Sequence, residues 1–387
     1  MQISKWTNNK YYLRLRDYAS QIDCLGALYD VLKPRSKIKV EELDSAERVP
    51  VALPLGTKKP RVGVVKDTRG RNREDARLYW PKFVRFLSYN HIPFDFIDVH
   101  GSDWASQAVN FDIILWKPET SPAAIEAYRT KIYFLEHYKH TWCFPAYRDI
   151  WCYEDKIRQY YLFVYYNVPC IDTFVSHNYE EALAYIERAR YPFVSKIVFS
   201  SGSRGVELIR TRTEARRIAR RIFGVGYATH WPYAFQKDYC YFQRFIPHAE
   251  DLRIICVGDN YFGYYIKVPP GDFRASSIGT KEFQDVPRAA LTLARSVQHK
   301  LGAKLLAVDF LKEGESYLVS EVHSFMRLDS ARQLRINDVP GRYRWQAGNF
   351  IFEKGNYWVQ ELALAEAVRE WAIDKREEQT AKIDTRG

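Results

Sequence analysis

The chain has 387 residues and a formal net charge of +11 at pH 7, a length that allows roughly two or three compact units with a sizeable core. No apolar run is long enough to span a membrane, and the first residues lack the apolar stretch of a secretory signal, so we expect neither. The excess of positive charge indicates an anionic partner, but it does not choose among nucleotide, nucleic acid, anionic glycan and membrane surface.

The N-terminal half is predicted to contain an extension and a small open sheet. Residues 1–58 are weakly patterned and end in a Pro- and Lys-rich stretch. Residues 59–150 are predicted to form an α/β domain, because buried-type strands alternate there with a helical pattern. Its predicted elements are a strand at 61–65, a helix at 74–89, and strands at 94–99 and 112–116.

Two further units and a final helix are predicted in the second half. The unit at 151–240 starts with a helix near 156, and Asn178 with Glu181 predicts the N-terminus of another. The unit at 241–335 and the helical segment at 336–387 complete the chain. Their predicted elements are a strand at 192–199, strands at 251–257 and 261–268, and helices at 286–301 and 357–379.

Two acids on one hairpin are the strongest chemical signal. The apolar runs 305–310 and 317–323 flank a short Gly-containing turn, and a tight turn at 314–316 places Asp309 opposite Glu321. His323 projects from the same face as Glu321. Like charges in apposition favour a hard divalent cation such as Mg²⁺. The alternative is an exposed hairpin face with two incidental acids.

Several basic residues form a second pattern. Lys196 lies on an apolar strand face just before the small polar loop 200–205, which is typical of a phosphate site but also of a plain turn. Lys267 and Arg274 are candidate phosphate ligands, although a salt bridge from Lys267 to Asp251 explains the same residues. The arginines of 210–221 fall on the outer face of a predicted helix, where solvation is their simplest explanation.

The order of the motifs resembles the ATP-grasp superfamily, most closely its ribosomal-protein glutamate ligase branch. The resemblance covers roughly residues 150–330, and the small sheet before it is similar to the domain that precedes the ATP-grasp fold in that superfamily. The motifs that carry it are Asp-Lys156, Asn-Val-Pro169, Pro-Phe-Val-Ser-Lys196 before Ser-Ser-Gly-Ser-Arg-Gly205, Gln243-Arg-Phe-Ile-Pro, Glu-Asp-Leu-Arg253, Gly-Asp-Phe-Arg274, Ala-Val-Asp-Phe310 and Ser-Glu-Val-His323.

The resemblance implies a mixed α/β (α+β) fold in which two α+β subdomains sandwich ATP. It also implies a role for each matching residue. Lys156 and Lys196 would bind ATP phosphates, and Asp251 would belong to the nucleotide site. The lid would contain Ser200, Ser201, Gly202 and Ser203, and the adenine hinge would be Gln243, Arg244, Phe245 and Ile246. Lys267 and Arg274 would act at the reacting phosphate, whereas Asp309, Glu321 and His323 would hold the metal.

Three positions depart from the family pattern. Arg244 stands where the hinge usually has an acid, and Ser276 stands where this branch typically has Asn. His323 replaces the Asn that usually completes the metal site. Imidazole suits softer metals better than Mg²⁺, so the second metal position is open.

The sequence therefore predicts an ATP-dependent ligase that joins a carboxylate to an amine, or to a thiol, through an acyl phosphate. Its cofactors would be ATP with one or two Mg²⁺ ions, Mn²⁺ being an alternative. The amine acceptor could belong to an anionic glycan, a peptide or a small metabolite, and a homodimer is an open expectation. A phosphotransferase on the same fold and a nucleic-acid-binding protein are the competing hypotheses. Six scattered cysteines, none in metal-ligand or redox spacing, fit a reducing cytoplasm.

Overall fold

The computed structural model describes residues 43–66, 78–200, 205–229, 231, 234–247, 249–268, 273, 279–326 and 330–384. These residues form three principal sheets with helices packed around them. None of the described helices is both long and apolar enough to cross a membrane.

The first sheet is parallel and has four strands in the order β2-β1-β3-β4. Strands β1 and β3 are buried throughout, as expected for a parallel sheet with helices on its faces. The sequence predicted three of these strands and missed β4 and the helix before it. The elements are β1 (Val62–Val64), α1 (Trp80–Tyr89), β2 (Phe94–Phe96), α2 (Trp104–Ala108), β3 (Ile113–Leu115), α3 (Pro122–Tyr138), β4 (Trp142–Phe144) and α4 (Tyr147–Trp151).

The second sheet is antiparallel, with the order β5-β10-β6-β7. Helix α6 begins where the sequence predicted, because the Asn178 side chain accepts hydrogen bonds from the backbone N–H groups of Glu180 and Glu181. The elements are α5 (Lys156–Tyr165), β5 (Thr173–Ser176), α6 (Tyr179–Arg188), β6 (Phe193–Lys196), β7 (Val206–Ile209), α7 (Arg212–Phe223), the small pair β8 (Tyr227–Ala228) and β9 (Phe235–Gln236), and β10 (Cys240–Arg244).

The third sheet has eight strands, with β15-β14-β11-β12-β17-β16 as its main path, while β13 pairs with β12 and β18 with β17. Helices α8 and α9 pack against β11 and β14. The elements are β11 (Glu250–Val257), β12 (Asn260–Lys267), β13 (Thr280–Glu282), α8 (Arg288–Leu301), β14 (Leu305–Glu313), β15 (Ser316–His323), β16 (Arg335–Ile336), β17 (Val339–Gln346), β18 (Asn349–Lys354) and α9 (Val359–Asp384).

Alternation along β11 separates the core from the charged residues. Leu252 and Ile254 are fully buried, whereas Asp251 and Arg253 project from the other face. Through its pairing with β14, Arg253 lies directly opposite Asp309. The charged face of this sheet therefore collects residues from strands that are far apart in sequence.

Candidate active site

The hairpin of β14 and β15 places Asp309 directly opposite Glu321, as the sequence predicted. The predicted turn was wrong in detail, because Ser316 already pairs with Glu313 and the two-residue turn is Gly314–Glu315. Gly314 has φ +58°, a conformation that glycine adopts at little cost. An irregularity after Asp309 leaves Ser320 as an extra residue, and this β-bulge restores the apposition of the two acids.

Three side chains on this face converge on one point. One ligand atom each from Asp309, Glu321 and His323 lies within 4.8 Å of the others. The His323 Nε2 atom is 3.4 Å from Asp309 Oδ2 and 3.9 Å from Glu321 Oε2. Two carboxylates and one imidazole at these separations fit a divalent metal ion.

Cations from other elements neutralise the two acids. Arg253 of β11 binds Asp309 through two parallel bonds, Nε to Oδ1 at 2.5 Å and Nη2 to Oδ2 at 2.6 Å. Lys156 lies at the start of α5, and its Nζ atom is 3.0 Å from Glu321 Oε1. An ion pair with such short contacts in a buried setting is stable only because both partners are present.

The scaffold fixes Lys156 relative to the hairpin. The Asp155 side chain caps α5 by accepting from the Arg158 N–H. One turn further on, the buried Gln159 side chain donates to Val322 O and accepts from Val322 N. Because this reciprocal pair joins α5 to β15, the ammonium group of Lys156 is held beside Glu321.

Lys196 reaches the same site from β6. Its Nζ atom donates to Ser320 Oγ at 3.5 Å, and Lys156 Nζ donates to Ser200 O at 2.7 Å. Burial lowers the pKa of Lys196 to about 8, although Glu321 acts in the opposite direction. Both lysines that were predicted to bind phosphate therefore lie beside the acidic hairpin.

The carboxylates and the imidazole each shift the pKa of the other toward its charged form. Burial raises the pKa of Asp309 and Glu321, but the neighbouring charges together outweigh it, so both pKa values lie below their usual range. The main opposing group is Arg253 for Asp309 and Lys156 for Glu321, and His323 adds to both. Burial lowers the pKa of His323, but Glu321 and Asp309 outweigh it, and this pKa is raised. Burial and the charge of Asp309 raise the pKa of Asp251. The site is thus a balanced cluster of opposite charges.

The predicted hinge begins in the last two residues of β10, and its side chains have protein partners. Gln243 Nε2 donates to Thr173 Oγ1 at 2.9 Å, while Arg244 donates to both Glu313 oxygens and to Asp172. Ile246 is buried, and Phe245 packs edge-on against Phe273. Because these side chains have protein partners, adenine binding at this segment would use its backbone groups. That role stays a prediction.

Lys267 does not join the cluster in this structure. Asp251 pairs with Ile266, so Lys267 points to the opposite face of β12, where its Nζ lies 3.2 Å from Glu282 Oε1. The salt bridge from Lys267 to Asp251, which was one interpretation of these residues, is therefore wrong. Of the predicted lid, Ser200 is buried and donates to Ile197 O. The other predicted residues lie outside the described ones: Ser201, Gly202, Ser203, Arg274 and Ser276.

Two residues with no role assigned from sequence complete the cluster. Arg253 belongs to one of the family motifs, but the sequence assigned it no role of its own. Its pairing with Asp309 depends on the long-range register of β11 with β14. Glu154 is buried, and its Oε1 atom lies 3.9 Å from His323 Nδ1. The only sequence signal for Glu154 was its place next to Asp155 and Lys156.

Comparison with known proteins agrees with this geometry. Residues 153–339 match the model of the RimK-like ATP-grasp domain. The chain is 24% identical over 213 residues to the alpha-aminoadipate–LysW ligase LysX of Saccharolobus solfataricus, covering 54% of this chain and 71% of that protein.

Two solved structures show the same fold at low sequence identity. The D-alanine–D-alanine ligase of Bacillus anthracis complexed with ATP is 14% identical, with a TM-score of 0.51, over 83% of this chain and 99% of that one. The D-cycloserine synthetase DcsG is 15% identical, with a TM-score of 0.52, over 80% and 99% of the two chains.

The fold, the ordered lysines and the acidic hairpin together define an enzyme of the ATP-grasp superfamily. Within that superfamily, residues 153–339 match the RimK-like ATP-grasp domain, in agreement with the resemblance seen in the sequence.

Proposed function

We propose that this enzyme uses ATP to join a carboxylate to an amine through an acyl phosphate, with release of ADP and phosphate. The observation that carries the proposal is the apposition of Asp309 and Glu321, neutralised by cations from two other elements, β11 and α5. Such an arrangement suits a substrate that brings both phosphates and a metal ion.

Neutralisation of phosphate charge is the main task of the basic residues. Lys156 and Lys196 lie beside the hairpin, where they would contact phosphate oxygens of ATP. Arg274 is assigned to the transferring phosphoryl group on the family resemblance alone. Catalysis would then consist of positioning the reactants and stabilising developing charge, as in other phosphoryl transfers.

Asp309 and Glu321 would hold Mg²⁺ or Mn²⁺, and His323 is the third candidate ligand. One or two ions agree with this donor set. Such an ion would supply positive charge that offsets the negative charge of the ATP phosphates and so favours attack by the carboxylate.

A covalent intermediate on cysteine is not part of the proposal. The five cysteines of the described residues are free, and burial raises the pKa of Cys152 and Cys240 to about 12. Thiols with such pKa values supply little thiolate at neutral pH. The substrate carboxylate itself attacks the γ-phosphorus of ATP in this scheme, and the amine then displaces phosphate.

The two substrates belong to broad classes. The name of LysX describes a ligase that acts on alpha-aminoadipate and LysW, and the other relatives are named for D-alanine and D-cycloserine. We extend to this chain only a small carboxylic acid and an amine acceptor, which could be a metabolite, a peptide or an anionic glycan. A cytoplasmic location and a homodimer remain predictions.

The experiment is a screen of carboxylic acids with hydroxylamine as a general acceptor amine. Purified protein, ATP and Mg²⁺ or Mn²⁺ are incubated with each acid, and both ADP release and hydroxamate formation are measured. The proposal predicts at least one acid that gives both products in equal amounts. ADP release coupled to a phosphorylated hydroxyl compound would support a phosphotransferase. Salt-sensitive binding to nucleic acid with no ATP turnover would contradict both enzymes.

A further inference from the structure

His323 lies between a pair of acids, Asp309 and Glu321, and a single acid, Glu154. It is two residues beyond Glu321 on the same face of β15, and its Nε2 atom faces Asp309 and Glu321 at 3.4 and 3.9 Å. Its Nδ1 atom points the other way, 3.9 Å from Glu154 Oε1. The ring therefore presents one nitrogen to the metal ligands and the other to a separate carboxylate.

Glu154 is held in this position by the fold. Its side chain is only 7% exposed, and it is the last residue before the cap of α5. Its backbone has φ +53°, in the left-handed region that side-chain-bearing residues seldom adopt. Residues in such conformations persist only where the surrounding structure maintains them, and they cluster at functional sites. The closeness of Glu154 to His323 is thus a built feature of the site.

The chemistry of metal-bound histidine explains such a pair. A histidine ligand commonly gives its second ring N–H to a carboxylate, which fixes the tautomer, orients the ring and makes the free nitrogen a better ligand. Nitrogen ligands favour transition metals such as Mn²⁺ over Mg²⁺, which prefers oxygen. The family that this chain resembles usually has asparagine at this position, and its only metal ligand is the amide oxygen.

We propose that His323 binds the metal directly through Nε2, that Glu154 positions its ring through Nδ1, and that the site consequently prefers Mn²⁺ to Mg²⁺. The inference rests on the proposed function, because it concerns the metal site of that reaction. Glu154 is a positioning residue here, since it contacts the imidazole and not the substrate.

The test is pulsed electron paramagnetic resonance of Mn²⁺ bound to the full chain. The spectra are recorded without nucleotide and again with inorganic tripolyphosphate, neither of which supplies a nitrogen ligand. The wild-type protein should show coupling of Mn²⁺ to ¹⁴N of an imidazole. His323→Asn should abolish that coupling while Mn²⁺ remains bound, and the exposed His299→Asn should retain it. Circular dichroism confirms that each variant is folded.

Metal affinities supply a second measurement. Calorimetric titration should show that Glu154→Gln weakens Mn²⁺ binding about 10–100-fold, the range for losing a carboxylate that orients a metal ligand. The loss for Mg²⁺ should be smaller, and His323→Asn should lower the ratio of Mn²⁺ to Mg²⁺ affinity. If Glu154→Gln lowers the affinities for Mn²⁺ and Mg²⁺ equally, Glu154 has only a structural role.

The outcomes separate this inference from the proposed ligase activity. Mn²⁺ bound to the wild-type protein without nitrogen coupling, or coupling that survives in His323→Asn, overturns the inference even if hydroxamate forms. Nitrogen coupling in a protein that makes no hydroxamate from any acid supports the metal ligand and contradicts the ligase.

Discussion

Two hairpins of the same sheet carry charged side chains in direct apposition, but they neutralise that charge in different ways. In the hairpin of β17 and β18, Arg342 faces Glu353, so each strand supplies the counter-ion of the other. In the hairpin of β14 and β15, the opposed residues are Asp309 and Glu321, both acidic. Their cations come from β11 and α5.

The difference shows how a functional hairpin is recognised. In the first hairpin the opposed residues are themselves counter-ions. The second is stable only because distant elements deliver Arg253 and Lys156 to it, and like charges facing each other are otherwise destabilising. Opposed acids that need cations from distant elements therefore indicate a functional site that binds a metal ion or an anionic substrate.

Removal of Arg253 should have the largest effect on stability. Arg253→Ala leaves the buried Asp309 without its bidentate partner, and we expect a loss of about 3–5 kcal/mol in the free energy of unfolding. Arg344→Ala in the other hairpin removes a 3.4 Å ion pair of a half-exposed arginine and should cost less than about 1 kcal/mol. Urea unfolding of both variants measures the difference. Equal losses in the free energy of unfolding would mean that the two hairpins do not differ in how much they depend on their arginines.

Removal of either opposed acid should abolish most of the turnover. Asp309→Asn and Glu321→Gln keep the shape of the side chain but lose the charge that holds the metal, so we expect metal-dependent ADP release to fall by at least about 10²-fold. Glu353→Gln is the matched change in the other hairpin and should leave the rate unchanged. Near-normal rates in both acidic-hairpin variants would show that the metal site lies elsewhere.

Lys196 should contribute less, and mainly to nucleotide binding. Lys196→Ala removes the charge-assisted contact that we propose this residue makes to phosphate, and it should weaken ATP binding by about 1–3 kcal/mol. Lys312→Ala, on β14 but paired with Glu250, should bind ATP as the wild type does. Calorimetric titration with ATP decides the point, and unchanged affinity in Lys196→Ala would make Lys196 a structural residue of its strand.

The smallest effect is the dependence of ATP affinity on pH. The pKa of Lys196 is about 8 in the free protein, and bound phosphate should raise it, because an anion favours the charged ammonium. Below pH 8 the lysine is already protonated, so the contribution of Lys196 to affinity should be constant there and should decline as pH rises above about 8. Binding should therefore take up protons as pH rises above about 8, and calorimetry in buffers of different ionisation enthalpy measures the uptake. Lys196→Ala should remove it.

Local pattern was sufficient to predict the acidic hairpin, but not all of its surroundings. The apposition of Asp309 and Glu321 followed from two apolar runs and a short turn, although the bulge at Ser320 that produces it was not foreseen. The contact of Arg253 with Asp309 could not be predicted, because no local signal specifies that β11 pairs with β14.

Register explains the error at Lys267. The turn between β11 and β12 joins Val257 to Asn260, which pairs Asp251 with Ile266. Lys267 is one residue further along, and a shift of one residue moves a side chain to the other face of a strand. The missed helix α3, by contrast, had a signal in the sequence, since Ser121 caps it and Pro122 follows at its first position.

The central claim, activation of a carboxylate as an acyl phosphate, is tested most directly by isotope transfer. The acid that gives the strongest hydroxamate signal is labelled with ¹⁸O in its carboxyl group, and the phosphate released during ligation is analysed by mass spectrometry. Our account predicts one ¹⁸O atom in each phosphate, because the carboxylate oxygen attacks the γ-phosphorus and leaves with it when the amine displaces phosphate. Phosphate without ¹⁸O would contradict the account.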